Sequence, residues 1–380
     1  MKLSNRAKCI SPSLTRRLFD MAQRLDDVVD LTLGDPDIVP LKPIRDAACE
    51  AIQKGKTRYS QNAGLAEARK AIAIFNENVY GCSISPEEVM LTCGGMEALY
   101  LMLLALINPG DEVIIPAPYW INYRQMTQLC GGEPVIVPTR EEDNFAITAD
   151  ALASAVTSRT KVMVLNSPNN PTGRMISGVV LDGLARLSVE HDIFVISDEV
   201  YRSLVYVGSH ESIWTRPNMR ERCAVIDSMS KRYSMTGYRL GYAIAPRELI
   251  IAMTRLQENV AACAPLPSQY AAIAAYGADL DSSGMLDEFS SRRDIILDGI
   301  KRIPQLSLSS IDGTFYAFVN ISRTGLNSYD FAMRLLESAH VAVVPGRTYG
   351  EDYDEYIRIA FTVNCERLKL AMERIKEFCK

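Results

Sequence analysis

The sequence predicts an α/β fold: a large domain with a three-layer αβα arrangement around a mostly parallel sheet, and a smaller α+β domain. Three observations predict it. From about residue 87, short apolar runs alternate with helical stretches, the pattern of an α/β layer architecture. The runs lack apolar–polar alternation, as strands do when both faces of a parallel sheet are covered. In the C-terminal third, a long helical stretch is followed by an alternating strand and two more helices. The 380 residues exceed one average domain of ~150 residues. The expected division is an N-terminal segment 1–45 packed on the small domain, a large domain 46–270 and a small domain 271–380.

The elements follow in order. Val89-Met90-Leu91-Thr92 is a strand, and Gly94-Gly95 leads into a helix from Glu97 to Ile107. Asn108-Pro109-Gly110-Asp111 carries turn chemistry. Glu112–Ile115 is a strand, Tyr119–Cys130 a helix, Glu133–Val137 a strand and Ala149–Val156 a helix. Lys161–Leu165 and Ile193–Ile196 are apolar strands around a helix from Val179 to His191. Ala224–Ile226 and Gly241–Ala245 complete the run. Ser268–Ile303 is then expected as one helical stretch, Thr314–Val319 as a strand, Ser328–Ala339 as a helix, Tyr356–Phe361 as a strand and Glu366–Phe378 as the last helix. The segment Leu31–Asp37 has no partner in the first layer and is expected on the small domain.

Composition narrows the function. Hydrophobic residues make up 48% and charged residues 23%, as in an ordinary globular protein. A net charge of −5 with scattered Lys and Arg argues against a nucleic-acid surface. The longest apolar stretch, Ala98–Ile107, is short of the ~20 residues a bilayer span needs. Met1–Arg6 lacks the apolar centre of a signal peptide. The nine cysteines are dispersed and odd in number, which favours a reducing cytoplasm over a disulfide framework or zinc site. With His191, His210 and His340 far apart, a metal site or histidine relay is not expected. Chemistry therefore falls to Lys, Asp, Tyr and Arg, or to a cofactor.

Each notable string lies just after a strand, where parallel sheets bind ligands. Ser228-Met229-Ser230-Lys231 follows Ala224–Ile226, with Arg239 beyond it. A lysine amine condenses with a carbonyl to form a Schiff base. Hydroxyls and a guanidinium bind phosphate. The plain alternative is an exposed strand-end lysine. Gly94-Gly95-Met96 at a helix start exposes N–H groups to an anion, although glycines are also common there for steric reasons. The string is neither G-x-G-x-x-G nor a P-loop, so neither NAD nor ATP is favoured. Asn166–Gly173, with two prolines, makes a rigid loop able to hold an Asn amide still. Asp198 ends a buried strand, where a carboxylate is costly unless paired. A protonated pyridine nitrogen would pair it, and helix capping is the alternative. Trp120 can stack on a flat ring or simply pack in the core. Arg358 is a charge in an apolar strand, suited to gripping a carboxylate or to facing solvent from an edge.

Taken together and in this order, the strings resemble the class I/II aminotransferases, the fold-type I enzymes dependent on pyridoxal 5'-phosphate, and within them the bacterial aspartate/aromatic branch. The resemblance runs from Leu31 to the terminal helix, through L-G-D-P-D, R-Y-S-Q-N-A-G-L, G-G-M-E-A-L, P-Y-W, N-S-P-N-N-P-T-G, S-D-E-V-Y, S-M-S-K-R-Y-S-M-T-G-Y-R-L-G, P-G-R-T-Y-G and I-R-I-A-F. It implies Lys231 as Schiff-base lysine and proton carrier. It implies Asp198 on the ring nitrogen, Tyr201 and Asn170 on the ring oxygen, and Trp120 stacked on the ring. Ser228, Ser230, Arg239 and the backbone of Gly95 and Met96 would hold the phosphate. Tyr59 would reach the phosphate of a neighbouring subunit, so a homodimer with shared active sites is implied. Gly34 and Arg358, with Trp120 and Asn170, would receive the substrate.

The implied reaction is amino-group transfer between an L-amino acid and a 2-oxo acid in a ping-pong cycle. One residue departs from the aspartate-specific pattern. A lysine often follows the loop glycines there to hold the side-chain carboxylate, and here Met96 does. A thioether suits apolar or aromatic side chains, so broad or aromatic donors are expected, although L-S-N-R…S-P-S-L-T at the start still resembles that branch. The alternatives are a C–S β-lyase on the same cofactor and a non-catalytic regulator that binds it. The regulator would carry a DNA-binding domain, for which the residues before Leu31 leave too little chain.

Overall fold

The structure, a computed structural model, describes residues 2–10, 14–277, 280 and 283–380. Its centre is a seven-stranded sheet. Strand β1 (Val29–Asp30) lies outside it. The sheet is built from β2 (Val89–Thr92), β3 (Glu112–Ala117), β4 (Glu133–Pro138), β5 (Thr160–Asn166), β6 (Phe194–Asp198), β7 (Cys223–Ser228) and β8 (Gly241–Ile244), in the order β2-β8-β7-β6-β5-β3-β4. Strands β7, β6, β5, β3 and β4 pair in parallel. Strand β8 runs antiparallel to both neighbours. A parallel pair needs a long crossover. Here the chain from Ser228 to Gly241 turns back at the same end of the sheet and keeps its residues there.

Alternate residues of each strand face opposite layers. Ile114, Met163 and Val225 enter one core; Val113, Val164 and Ala224 enter the other. Both faces are covered, which is why the strands are apolar throughout. Helices Gly95–Leu106, Asn122–Leu129 and Gly178–Glu190 lie between strands. Each begins or ends within a few residues of its expected bounds, and Ala149–Ala153 is shorter than expected.

The C-terminal part forms a four-stranded antiparallel sheet. Its strands are β9 (Ser307–Leu308), β10 (Tyr316–Asn320), β12 (Val344–Pro345) and β13 (Tyr356–Ala360), in the order β12-β13-β10-β9. Strand β11 (Val341–Ala342) pairs with β1, so Val29–Asp30 joins this part. Thr362 Oγ1 also donates to the Leu33 carbonyl, and Arg292 pairs with Asp37 at 2.7 Å. The expected stretch Ser268–Ile303 is two helices, Leu266–Gly277 and Ser283–Lys301. Residues 278, 279, 281 and 282 of that stretch, and 11–13 of the opening string, lie outside the described residues. The first of the two helices packs on Lys42–Gln53, the second on the last helix, Cys365–Phe378. Among the described residues, no helix is long and apolar enough to cross a membrane.

Candidate active site

A cavity of about 710 Å³ opens at the carboxyl ends of the parallel strands, between them and β13. From the turn after β2 come Gly95 and Met96; from the end of β3, Trp120; from the loop after β5, Asn170. The end of β6 delivers Asp198, and the turn after it Tyr201. The chain after β7 delivers Ser228, Ser230, Lys231 and Arg239, and the opposite wall delivers Gly34 and Arg358. Residues dispersed along the sequence thus meet because parallel strands end at one edge. Tyr59 is the exception. It is 87% exposed and lies outside the cavity.

Lys231 is enclosed, and its Nζ donates to the Gly34 carbonyl at 2.5 Å. Burial brings its amine down to about 8; Arg358 and Arg239 add to this, while Asp35 and Asp198 oppose it. A neutral, nucleophilic amine is therefore accessible near neutral pH. Gly34 has no room for a side chain: a Cβ there would meet the Tyr316 hydroxyl and lie 3.0 Å from Phe315.

Asp198 is buried, and its hydrogen-bond partners among the described residues are neutral. Tyr123 donates to Oδ2 at 2.6 Å and the Val200 N–H to Oδ1 at 3.3 Å. Burial pushes this carboxyl up to about 6, with Asp227 and Glu199 adding and Tyr123 and Val200 opposing. A helix cap would not explain a carboxylate set this deep and aimed into the cavity.

Groups suited to binding an anion lie nearby. The Ser228 and Ser230 hydroxyls are 2.9 Å apart. Arg239, with φ of 51°, is held by the carbonyls of Thr236 at 2.8 Å and Cys93 at 3.3 Å. Gly94 has φ of 85°, and a Cβ on it would strike this guanidinium. The helix Gly95–Leu106 starts there and leaves N–H groups unpaired in its first turn.

Arg358 is buried, paired on both sides within its sheet, and does not face solvent. Its guanidinium donates to Asn170 Oδ1 at 3.1 Å and to the Thr32 carbonyl. It lies 4.3 Å from the Tyr316 ring centre and 5.2 Å from that of Tyr349. Its Nε is buried and without a partner among the described residues. A buried guanidinium with spare donors suits a carboxylate ligand.

Sequence reasoning missed several residues that shape the site. Tyr123 holds Asp198. Asn166 holds the Asn170 N–H at 2.8 Å and donates to the Asp198 carbonyl at 3.0 Å. Tyr316 contacts Tyr201, hydroxyl to hydroxyl, at 3.1 Å. Asn166 was within a quoted string, whereas Tyr123 and Tyr316 carried no local signal.

The comparisons with known proteins agree with this geometry. The pattern of the family described as aminotransferase class I and II matches residues 26–375. An aromatic-amino-acid aminotransferase from Thermococcus litoralis is 36% identical, covering 100% of this chain and 99% of that protein. An aspartate aminotransferase from Bacillus subtilis is 36% identical with the same coverage. The structure of the Thermus thermophilus aspartate aminotransferase with maleate superposes with a TM-score of 0.95 at 35% identity, covering 99% of each chain.

The fold and cavity define an enzyme that works through pyridoxal phosphate. The chain belongs to the class I and II aminotransferases, and it moves an amino group between an amino acid and a 2-oxo acid.

The residues present fit the cofactor. A buried carboxylate without a cationic partner among the described residues, an enclosed amine and an anion cradle that a Cβ at Gly94 would fill occupy one cavity.

Proposed function

We propose that Lys231 is the catalytic residue and that the surrounding side chains divide the cofactor and substrate between them. The observation that carries this is the enclosed Lys231 amine in one cavity with Asp198, Arg239 and Arg358. When bound, the cofactor supplies a carbonyl for the amino group and a ring that withdraws electrons. Asp198 holds positive charge on the ring nitrogen. Asn170 and Tyr201 hold the ring oxygen, and Trp120 covers the ring face. Ser228, Ser230, Arg239 and the N–H groups of Gly95 and Met96 hold the phosphate. Arg358 receives the substrate carboxylate, with Gly34 beside it. The Lys231 Nζ, neutral once its proton is released, takes the proton from the substrate carbon and returns it. Two half-reactions through one cavity give ping-pong kinetics.

The donor we propose is broad or aromatic. Met96 and Ile121 line the cavity and offer no charge to a side-chain carboxylate, and Arg16, which also lines it, is paired with Asp20 at 3.1 Å. Relatives named for aspartate and for aromatic amino acids are equally similar to this chain. We also propose a homodimer in the cytoplasm, with Tyr59 reaching the partner's phosphate site, and the domain division at residues 45 and 270. The exposure of Tyr59, the unpaired described cysteines and the pairing of β1 with β11 support these readings.

Lys231→Ala tests the assignment. The purified enzyme is expected to absorb visible light as an imine, and the variant to be folded, inactive and without the imine absorbance. A variant that transaminates at the wild-type rate overturns the reading. Assay of a donor panel with 2-oxoglutarate then sets specificity. Glutamate as product marks transfer; pyruvate and ammonia formed without an acceptor mark elimination.

A further inference from the structure

Tyr316 on β10 touches both halves of the site. Its ring lies beneath Arg358, with the guanidinium carbon 4.3 Å from the ring centre. Its hydroxyl is 3.1 Å from the Tyr201 hydroxyl, and the two rings meet edge to face at 5.6 Å. The side chain is buried, and Gly34 leaves the space its hydroxyl fills. No residue other than Tyr316 joins Arg358 to Tyr201 through one side chain among the described contacts.

We propose that Tyr316 is a positioning residue that couples the carboxylate grip of Arg358 to the ring-oxygen contact of Tyr201. The inference rests on the roles given to those two residues above. A cation over a phenol ring draws electrons from it, so the Tyr316 O–H is the better donor of the pair. Tyr316 donates and Tyr201 accepts. The Tyr201 O–H is then left to point into the cavity toward the ring oxygen. Both hydroxyls titrate above the ordinary tyrosine range, chiefly through burial, with Arg358 pulling Tyr316 the other way. Stacking also fixes the plane of the guanidinium, whose fork must face the carboxylate.

Two substitutions separate the contacts. Tyr316→Phe keeps the ring and removes the hydroxyl. It is expected to shift the pH midpoint of the holoenzyme's visible absorbance by about half a unit to one unit, the weight of one hydrogen bond. Its KM for the amino donor should stay within about two-fold, since the cation–ring contact remains. Tyr316→Leu removes the ring as well and should raise KM by about 3- to 30-fold. In a Tyr201→Phe background, Tyr316→Phe should no longer move the midpoint.

An unmoved midpoint, or an equal shift in the Tyr201→Phe background, overturns the coupling. An unchanged KM in Tyr316→Leu overturns the positioning of Arg358, provided that Arg358→Leu raises KM. If Arg358→Leu leaves KM unchanged, the reading of the site fails instead. Should Tyr316→Leu not fold, the Tyr316→Phe titration and its coupling to Tyr201 decide alone.

Discussion

Asp198 shows how one residue's surroundings set both chemistry and stability. Its carboxyl ionises near 3.8 in an exposed chain and near 6 here, because burial outweighs its hydrogen bonds. Between those values the folded apoprotein binds more protons than the unfolded chain. Stability from this group is therefore lost as pH rises from 4 to 6, by about 3 kcal/mol. Asp198→Asn removes the titration. The apo variant is expected to exceed the wild type in stability above pH 6 by up to about 3 kcal/mol, with no gain near pH 4. The role proposed for Asp198 predicts a lower cofactor affinity as well, since the amide cannot hold charge on the ring nitrogen. Urea unfolding of both apoproteins at pH 4 and pH 7 checks this, and an equal difference at the two pH values would contradict it. Asp198 was legible in the sequence because a carboxylate ended an apolar run. Tyr123, which donates to it, was not legible, because it sits among the buried residues of a helix, where an aromatic looks like core.

At the scale of elements, the ends of β6 and β7 are held by polar groups behind the cavity. Arg202 pairs with Asp227 at 2.9 Å and donates to Asn76 at 2.5 Å. Asp227 accepts the Ser228 N–H at 2.6 Å and the Tyr242 hydroxyl at 2.8 Å. Beside them Glu199 is ringed by His210, Tyr80, Ser197 and Ser212. Burial raises its carboxyl, but His210, Arg202 and Ser212 outweigh this and bring it down to about 2. Arg202→Met leaves Asp227 buried without its cation, which costs about 3–5 kcal/mol. Urea midpoints should register that loss. The cofactor dissociation constant should rise too, because Asp227, which accepts the Ser228 N–H, loses the cation that holds it, and an unchanged constant would separate this cluster from the site. The parallel strands were legible as unbroken apolar runs covered on both faces. The reversal of β8 was not, because its apolar content is that of its neighbours and direction depends on where the connecting chain goes. Helices Lys42–Gln53 and Ala66–Tyr80 were likewise missed; each is fixed by packing on the distant helix Leu266–Gly277.

On the scale of the whole molecule, a single chain leaves Tyr59 without a task. Its ring is almost wholly exposed, yet it lies in a segment whose neighbours are tied down. Leu65 N donates to Gln269, and Gln269 Nε2 donates to Ser60 at 3.0 Å. A large aromatic displayed on a fixed segment suits contact with a second copy of the chain. In a two-fold dimer the same patch serves both subunits, so each cavity would receive the partner's Tyr59. Lys231→Ala and Tyr59→Ala then place their lesions differently. A Lys231→Ala homodimer lacks the amine in both sites, and a Tyr59→Ala homodimer lacks the phosphate contact in both. In a mixed dimer one site carries both lesions and the other carries neither. Random mixing makes half the dimers mixed, each with one intact site, so about a quarter of the wild-type sites are restored. Unfolding and refolding the two variants together, then assaying at limiting cofactor, measures this. Activity near that level supports shared sites; no gain over the separately refolded variants overturns them.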